Sequence, residues 1–251
     1  MNRLSMNKMC LVFLMAISIS VCSVTTSYAA IISNGGFEDG LNGWTIANQL
    51  GSEGTFSLQL GTLSPVLSNS VPAPPFGLRT AMSDAQGPGS HVLYQDIVIP
   101  NNVGPHVLTF SLFVGNRSTA FAIADPATVG LDFSTAAQNQ QARVDIIRTS
   151  ANPFSVATAD VLRNFFQTAV GSPLVSGYTT FNFDATALLQ ANAGQTLRLR
   201  FAEVDNLGPF QLGVDNVDFV AVPEPSSCIF VCAGGLLAMV ARRIRRKSPS
   251  L

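Results

Sequence analysis

From residue 30 to residue 221 the chain contains neither cysteine nor lysine. All four cysteines (Cys10, Cys22, Cys228, Cys232) and both lysines (Lys8, Lys247) fall in the two terminal segments. The middle therefore has no disulfide framework, no cysteine nucleophile and no lysine able to form a Schiff base. Charge is scarce as well, at 12% of the 251 residues. Within the middle, Arg79, Arg117, Arg143, Arg148, Arg163, Arg198 and Arg200 face about twice as many carboxylates. Phosphate backbones call for a basic face, so nucleic acid is not an expected partner. Such a domain must rest on its hydrophobic core, helped at most by a metal, and the chain is long enough to build one.

What is present begins at the ends, where a mean hydropathy of +0.33 finds its explanation. "MNRLSMNKM" carries Arg3 and Lys8, "CLVFLMAISISV" is a short apolar run, and "SYA" places small residues at Ser27 and Ala29. This order reads as a secretory signal peptide over residues 1–29, cut after Ala29. A lipoprotein reading through Cys22 would put Val21 where a small residue is required.

At the other end, residues 226–241 carry no charge and are followed by "RRIRRK". At 1.5 Å per helical residue the apolar stretch covers roughly 24 Å, short of a hydrocarbon core of about 30 Å. It could span only by thinning the bilayer while Arg242 and Arg243 snorkel. The cationic cluster keeps the C-terminus inside and leaves everything before Val222 outside, in agreement with the signal peptide. Pro223 and Pro225 leave "VPEP" extended and open to an enzyme at the membrane surface. Val222, Pro223, Glu224 and Pro225, a short apolar helix and the cluster Arg242, Arg243, Arg245 and Arg246 together resemble the PEP-CTERM sorting signal of bacterial envelope proteins. That resemblance covers the last thirty residues or so. It implies recognition by an exosortase, cleavage near Pro-Glu-Pro, and delivery to the cell surface or an exopolysaccharide matrix. An ordinary C-terminal anchor that happens to begin with prolines is the alternative.

The middle alternates with period two. In "TLRLRF", Leu197, Leu199 and Phe201 share one face while Thr196, Arg198 and Arg200 share the other, the latter read as a solvated face. "HVLTFSLFV" aligns Leu108, Phe110, Leu112 and Val114, and "TFSLQL" aligns Phe56, Leu58 and Leu60. "YTTFNF", "ARVDII" and "GVDNVDFVAV" read as further strands, with turn formers such as "SDAQGPGS" between them. "HVLYQDIVIP", "NNVGP" and "HVLTFSLFV" suggest a hairpin. "ADVLRNFFQ", with Asp160 as cap, and "ATALLQANAG", ending at Gly194, suggest one or two helical turns each. Many strands and few helices predict an all-β antiparallel sandwich over residues 30–221 with one core.

"NGGFEDGLNGW", "GSHVLYQDIVIP" and "GVDNVDF" resemble galactose-binding-like jelly rolls of the carbohydrate-binding-module type. The resemblance implies that the first and last strands meet, with a structural calcium held there by Asn34, Glu38 and Asp215 and by main-chain carbonyls, since calcium takes six to eight oxygens. Read simply as residues, the same positions are turn formers and caps.

Chemistry is thinly supplied. Between residues 30 and 221, Trp44, Tyr94 and Tyr178 are the only tryptophan and tyrosines for stacking a sugar, and Trp44 is expected in the core. His91 and His106 are the only groups titrating near neutral pH and lie too far apart along the presumed hairpin to cooperate. Glu203 and Asp205 share one side of a strand and read as caps near its end. The expectation is a non-catalytic exported protein, held in the inner membrane by residues 222–251 until an exosortase processes it, and destined for the surface or matrix. A glycan-binding module comes second and a weak glycoside hydrolase third.

Overall fold

A computed structural model of the chain describes residues 30–125, 129–135 and 137–222. The expected signal peptide over residues 1–29, Pro223, Glu224, Pro225, the apolar stretch and Arg242, Arg243, Arg245 and Arg246 lie outside the described residues. Ten strands form: β1 (Thr45–Asn48), β2 (Thr55–Leu60), β3 (Arg79–Asp84), β4 (Gly89–Val98), β5 (His106–Asn116), β6 (Gln141–Arg148), β7 (Val161–Gln167), β8 (Thr179–Asp184), β9 (Thr196–Asp205) and β10 (Phe210–Ala221). Among the described residues one α-helix of a turn and a half, α1 (Thr186–Ala191), is inserted before β9.

The strands build two five-stranded sheets, β1-β4-β9-β6-β7 (sheet A) and β2-β3-β10-β5-β8 (sheet B). Every pairing is antiparallel. With the edge strands β1 and β2 set aside, the remaining eight wind from sheet to sheet in the order of a jelly roll: β3-β10-β5-β8 against β4-β9-β6-β7. The expected all-β sandwich is the fold observed. Its main core fills the space between the sheets, with Leu93, Phe110, Leu112, Leu199, Phe201 and Leu212 among the residues that meet there.

Burial follows the alternation where it is strict. Leu197, Leu199 and Phe201 point inward, as do Leu108, Phe110 and Val114. In β2 the pattern decays along the strand: Phe56 is buried but Leu60, its last residue, is 62% exposed. Trp44 is buried against Phe37 and Phe201, with ring centroids 5.2 and 5.9 Å away, and its Nε1 donates to the Asn34 carbonyl at 3.0 Å.

Two local expectations are overturned. β4 and β5 are not a hairpin: β4 pairs with β1 and β9 in sheet A, and β5 with β10 and β8 in sheet B. The "PNNVGP" segment carries the chain from one layer to the other, because each strand presents one apolar face that must meet the facing sheet. "ADVLRNFFQ" is the edge strand β7 and not a helix. It pairs with β6 through two register shifts, which let Phe165 face the core although its spacing also suits a helix. The other helical expectation holds: Leu189 of α1 is buried, and the chain turns at Gly194 with φ of 74°.

The sandwich has more than one apolar cluster. Val92, Ala202 and Val204 on the outer face of sheet A are covered by Leu131 and Val156. Met82 and Phe113 on the outer face of sheet B are covered by Val71, with Tyr178 alongside. Loops thus roof both sheets, and charged residues on the outer faces become interior ones.

Candidate functional site

Three places concentrate polar chemistry. The first is where the opening loop meets β10. The Val217 N–H donates to the Gly35 carbonyl at 2.9 Å, beside a bulge between Asp215 and Asp218. A Cβ on Gly35 would lie 1.8 Å from the Val217 carbonyl oxygen, so only glycine permits this approach. The Asn34 side chain is consumed in organising the loop: Nδ2 donates to the Gly40 and Asn42 carbonyls, each at 2.9 Å, and Oδ1 accepts from the Asp39 N–H at 3.2 Å. Glu38 and Asp215 converge on one backbone segment. Glu38 Oε1 accepts from the N–H groups of Leu78 and Arg79 at 2.8 and 3.0 Å, and Asp215 Oδ2 from that of Phe76 at 3.3 Å. Burial pushes the Asp215 carboxyl up to about 7, against the N–H bonds of Asn216 and Phe76 and with the Glu38 charge adding to the rise.

The second place is the outer face of sheet A. Arg198 and Arg200 are not solvated. Arg200 is fully buried, and its Nε and Nη2 donate to Asp145 Oδ2 at 2.9 and 2.8 Å. Arg143 adds bonds from Nε and Nη2 at 2.7 and 2.8 Å, and Asn164 Nδ2 a further one at 2.8 Å. Arg200 also reaches the Pro153 carbonyl of the roofing loop. Burial alone would raise the Asp145 carboxyl, but Arg200 and Arg143 outweigh it and hold the group below the usual range. Arg198 makes a bidentate pair with Asp96 at 2.7 and 2.9 Å, its guanidinium 4.0 Å from the centre of the Tyr94 ring. Alternation foretold the face these arginines share, but the loops covering it left no periodic signal. Next to the network lies an open depression of about 300 Å³ lined by Ile123, Gln141, Arg143, Val156, Thr158 and Gln167, among others.

The third place lies between the sheets at one end. The phase that turns Leu197, Leu199 and Phe201 inward continues to Glu203 and Asp205, and cross-strand register sets His91 of β4 opposite Glu203. All three are at most 1% exposed, and one ligand atom from each lies within 4.8 Å of the others. Glu203 Oε2 and Asp205 Oδ1 have no hydrogen-bond partner. Burial pushes the Asp205 carboxyl up to about 8, opposed by the Gly89 N–H. Glu203 is driven well above the carboxylate range by burial and then by the charge of Asp205. Burial lowers His91 to about 4 against its bond to the Glu53 carbonyl. Burial therefore disfavours charge on both partners of the His91–Glu203 contact at 4.0 Å.

Reading Glu203 and Asp205 as caps near the strand end missed their inward direction, although the alternation that placed Phe201 inside already contained it. A glycan cannot reach carboxylates this deeply buried, so this pair offers no support for the hydrolase reading. His106 and His91 lie in different sheets, and His106 Nδ1 contacts the Gly104 carbonyl at 2.9 Å.

No family model matches the chain, and no curated protein matches it. Solved structures with some similarity include the K3 cleaved adhesin domain of Lys-gingipain from Porphyromonas gingivalis, at 12% identity and TM-score 0.46, covering 77% of this chain and all of that one. The carbohydrate-binding module TmCBM61, solved with β-1,4-galactotriose, has 10% identity and TM-score 0.38, covering 78% of this chain and all of that one. The enzymatically active domain of bacteriophage CBA120 tailspike protein 4 has 10% identity and TM-score 0.43, covering 77% of this chain and 21% of its own length. The chain thus spans about a fifth of that tailspike domain.

Proposed function

We propose that the chain is an exported, non-catalytic envelope protein whose sandwich reaches the cell surface or exopolysaccharide matrix after an exosortase-type enzyme cuts at Pro223, Glu224 and Pro225. The order of apolar leader, sandwich, Val-Pro-Glu-Pro, apolar stretch and arginine cluster carries this reading. Val222, the first residue of the motif, is 44% exposed, with its N–H donating to the Pro105 carbonyl at 2.9 Å, which supports a motif that begins on the accessible surface of the sandwich. Intact-mass measurement of surface-extracted protein tests it. A C-terminus near Glu224 is expected, with Glu224→Ala retaining Leu251; a wild-type chain ending at Leu251 would make the segment a resident anchor.

Glycan binding is the second reading, favoured by the depression on sheet A. Gln141 and Gln167 are pre-set there by a side-chain bond at 2.9 Å, beside the guanidinium of Arg143. Saturable binding on a glycan array, lost in Gln167→Ala, is the expected result.

A structural calcium at the junction of the opening loop and β10 fits Glu38 and Asp215, whose mutual repulsion a dication would relieve. The Asn34 side chain is already engaged, so its neighbourhood would contribute main-chain oxygens. Chelation should lower the melting temperature, and an unchanged melt would remove the ion from the proposal.

A further inference from the structure

Two buried carboxyl groups and an imidazole face one another at the end of the sandwich, and among the described residues no arginine pairs with either carboxyl. A neutral imidazole carries one proton, yet the His91 ring meets an oxygen on each side: Asn48 Oδ1 lies 2.8 Å from Nδ1, and the Glu53 carbonyl oxygen 2.9 Å from Nε2. A proton on Nδ1 satisfies Asn48 and fixes the ring through an outer partner, as is usual for metal-binding histidines. Nε2 then presents its lone pair with the Glu53 carbonyl oxygen 2.9 Å away and Glu203 Oε1 4.0 Å away. Glu203 Oε2 and Asp205 Oδ1 lack any donor, although both side chains are 1% exposed. Buried acceptors crowded in this way call for a cation or for protons.

Space has been kept there. A Cβ on Gly89 would lie 2.4 Å from His91 Nε2 and 3.1 Å from the Glu53 carbonyl oxygen. Asn48 and Glu53, which contact the two ring nitrogens, are both exposed residues, so the solvent boundary is one residue away from the ring.

We propose that His91 Nε2, Glu203 and Asp205, together with the Glu53 carbonyl, form a buried binding site for a divalent transition-metal ion. Bonds of about 2.1 Å in a tetrahedral site put ligand atoms about 3.4 Å apart, so the 4.0 Å from His91 Nε2 to Glu203 Oε1 must close by only a fraction of an ångström. A nitrogen donor selects zinc, manganese or iron over calcium and magnesium, which favour all-oxygen shells. The site is separate from the calcium proposed at Glu38 and Asp215, and two carboxylates neutralise one dication.

The groups facing the ion are Ser83 and Asp84 from β3, His91 and the Gly89 N–H from β4, and the 48–53 loop. A metal takes the free imidazole and the carboxylates, so protons compete with the ion here and binding tightens as pH rises.

The test uses the full chain in detergent with its four cysteines alkylated, stripped by a chelator, then titrated with zinc or cobalt. One ion per chain, a cobalt visible spectrum without thiolate bands and a higher melting temperature are expected. Glu203→Gln/Asp205→Asn should fold and bind at least about ten-fold more weakly. Asp215→Asn should keep the response, which separates this site from the calcium site. If metal leaves the wild-type melt unchanged, the acids only share protons and the proposal fails. It also fails if the double variant binds as well as wild type, since the ion is then elsewhere.

Discussion

The outer face of sheet A and the interior end of the sandwich each bury a cluster of ionisable groups, and they solve the same electrostatic problem in opposite ways. Around Asp145, two guanidiniums and a carboxamide satisfy every lone pair within reach, and the carboxylate stays charged. Around Asp205 the neighbours are another acid and a neutral imidazole, so protons or a metal must replace the missing arginine. The difference lies in what each strand faces across its partner. In sheet A, β9 puts Arg200 opposite Asp145 of β6, and Glu203 opposite His91 of β4. Burial of charge is therefore decided pair by pair across the ladder.

The largest effect should come from breaking the satisfied cluster. Asp145→Asn leaves Arg200 and Arg143 buried without a counter-charge and should cost about 3–5 kcal/mol in urea unfolding. Stability against pH should next separate the two clusters. Asp205 rises from 3.8 to about 8 on folding, so the folded protein binds the extra proton: its contribution is full below about 4 and is lost as pH climbs through about 8. Asp145 is lowered from 3.8, so its contribution is present above that value and is lost as pH falls through its still lower folded value. Melting curves of metal-stripped protein from pH 5 to 9 should decline, and Asp205→Asn should flatten the decline; the part that remains belongs to Glu203, whose carboxyl burial also raises, and to Asp215, raised to about 7. Glu203→Gln in stripped protein at pH 8 should gain about 1 kcal/mol, the reverse sign to Asp145→Asn, because the amide is buried without the proton uptake that the carboxyl requires above its ordinary range. A loss of stability there would erase the contrast. Smallest is a neutral control on sheet B: Tyr178→Phe removes hydroxyl bonds to Gln59 at 3.1 Å and Thr80 at 3.3 Å, and should cost about 1 kcal/mol.

Strand identity was legible in this sequence wherever one face is apolar and the other polar. Phe110, Leu199 and Phe201 declare their direction by spacing alone, and the sandwich follows from many such segments. Partner choice was not legible: "NNVGP" has turn chemistry suited to a hairpin, and only the need to cover both sheets makes it an interlayer crossing. β7 was missed because Val161, Leu162, Phe165 and Phe166 fit helical and strand periods alike, and the free edge of β6 settles the matter. At the candidate sites, Glu38 and Asp215 were named from motif, whereas the His91, Glu203 and Asp205 group needed the β4–β9 register to bring together residues more than a hundred positions apart. Arg198 and Arg200 were assigned to the correct face and the wrong environment, since the loops that roof them have no periodicity to read.

The position of β10 governs how the molecule can be made. Among the described residues it is the last strand synthesised, yet it lies at the centre of sheet B, between β3 and β5, and it also holds the opening loop through Gly35. Until Phe210 and its successors emerge, β2 and β3 have no connection to β5 and β8 within that sheet. A nascent chain cannot lock in stages from its beginning; it must wait for its final segment and then close as a unit, a slow step dominated by contacts between distant parts of the chain.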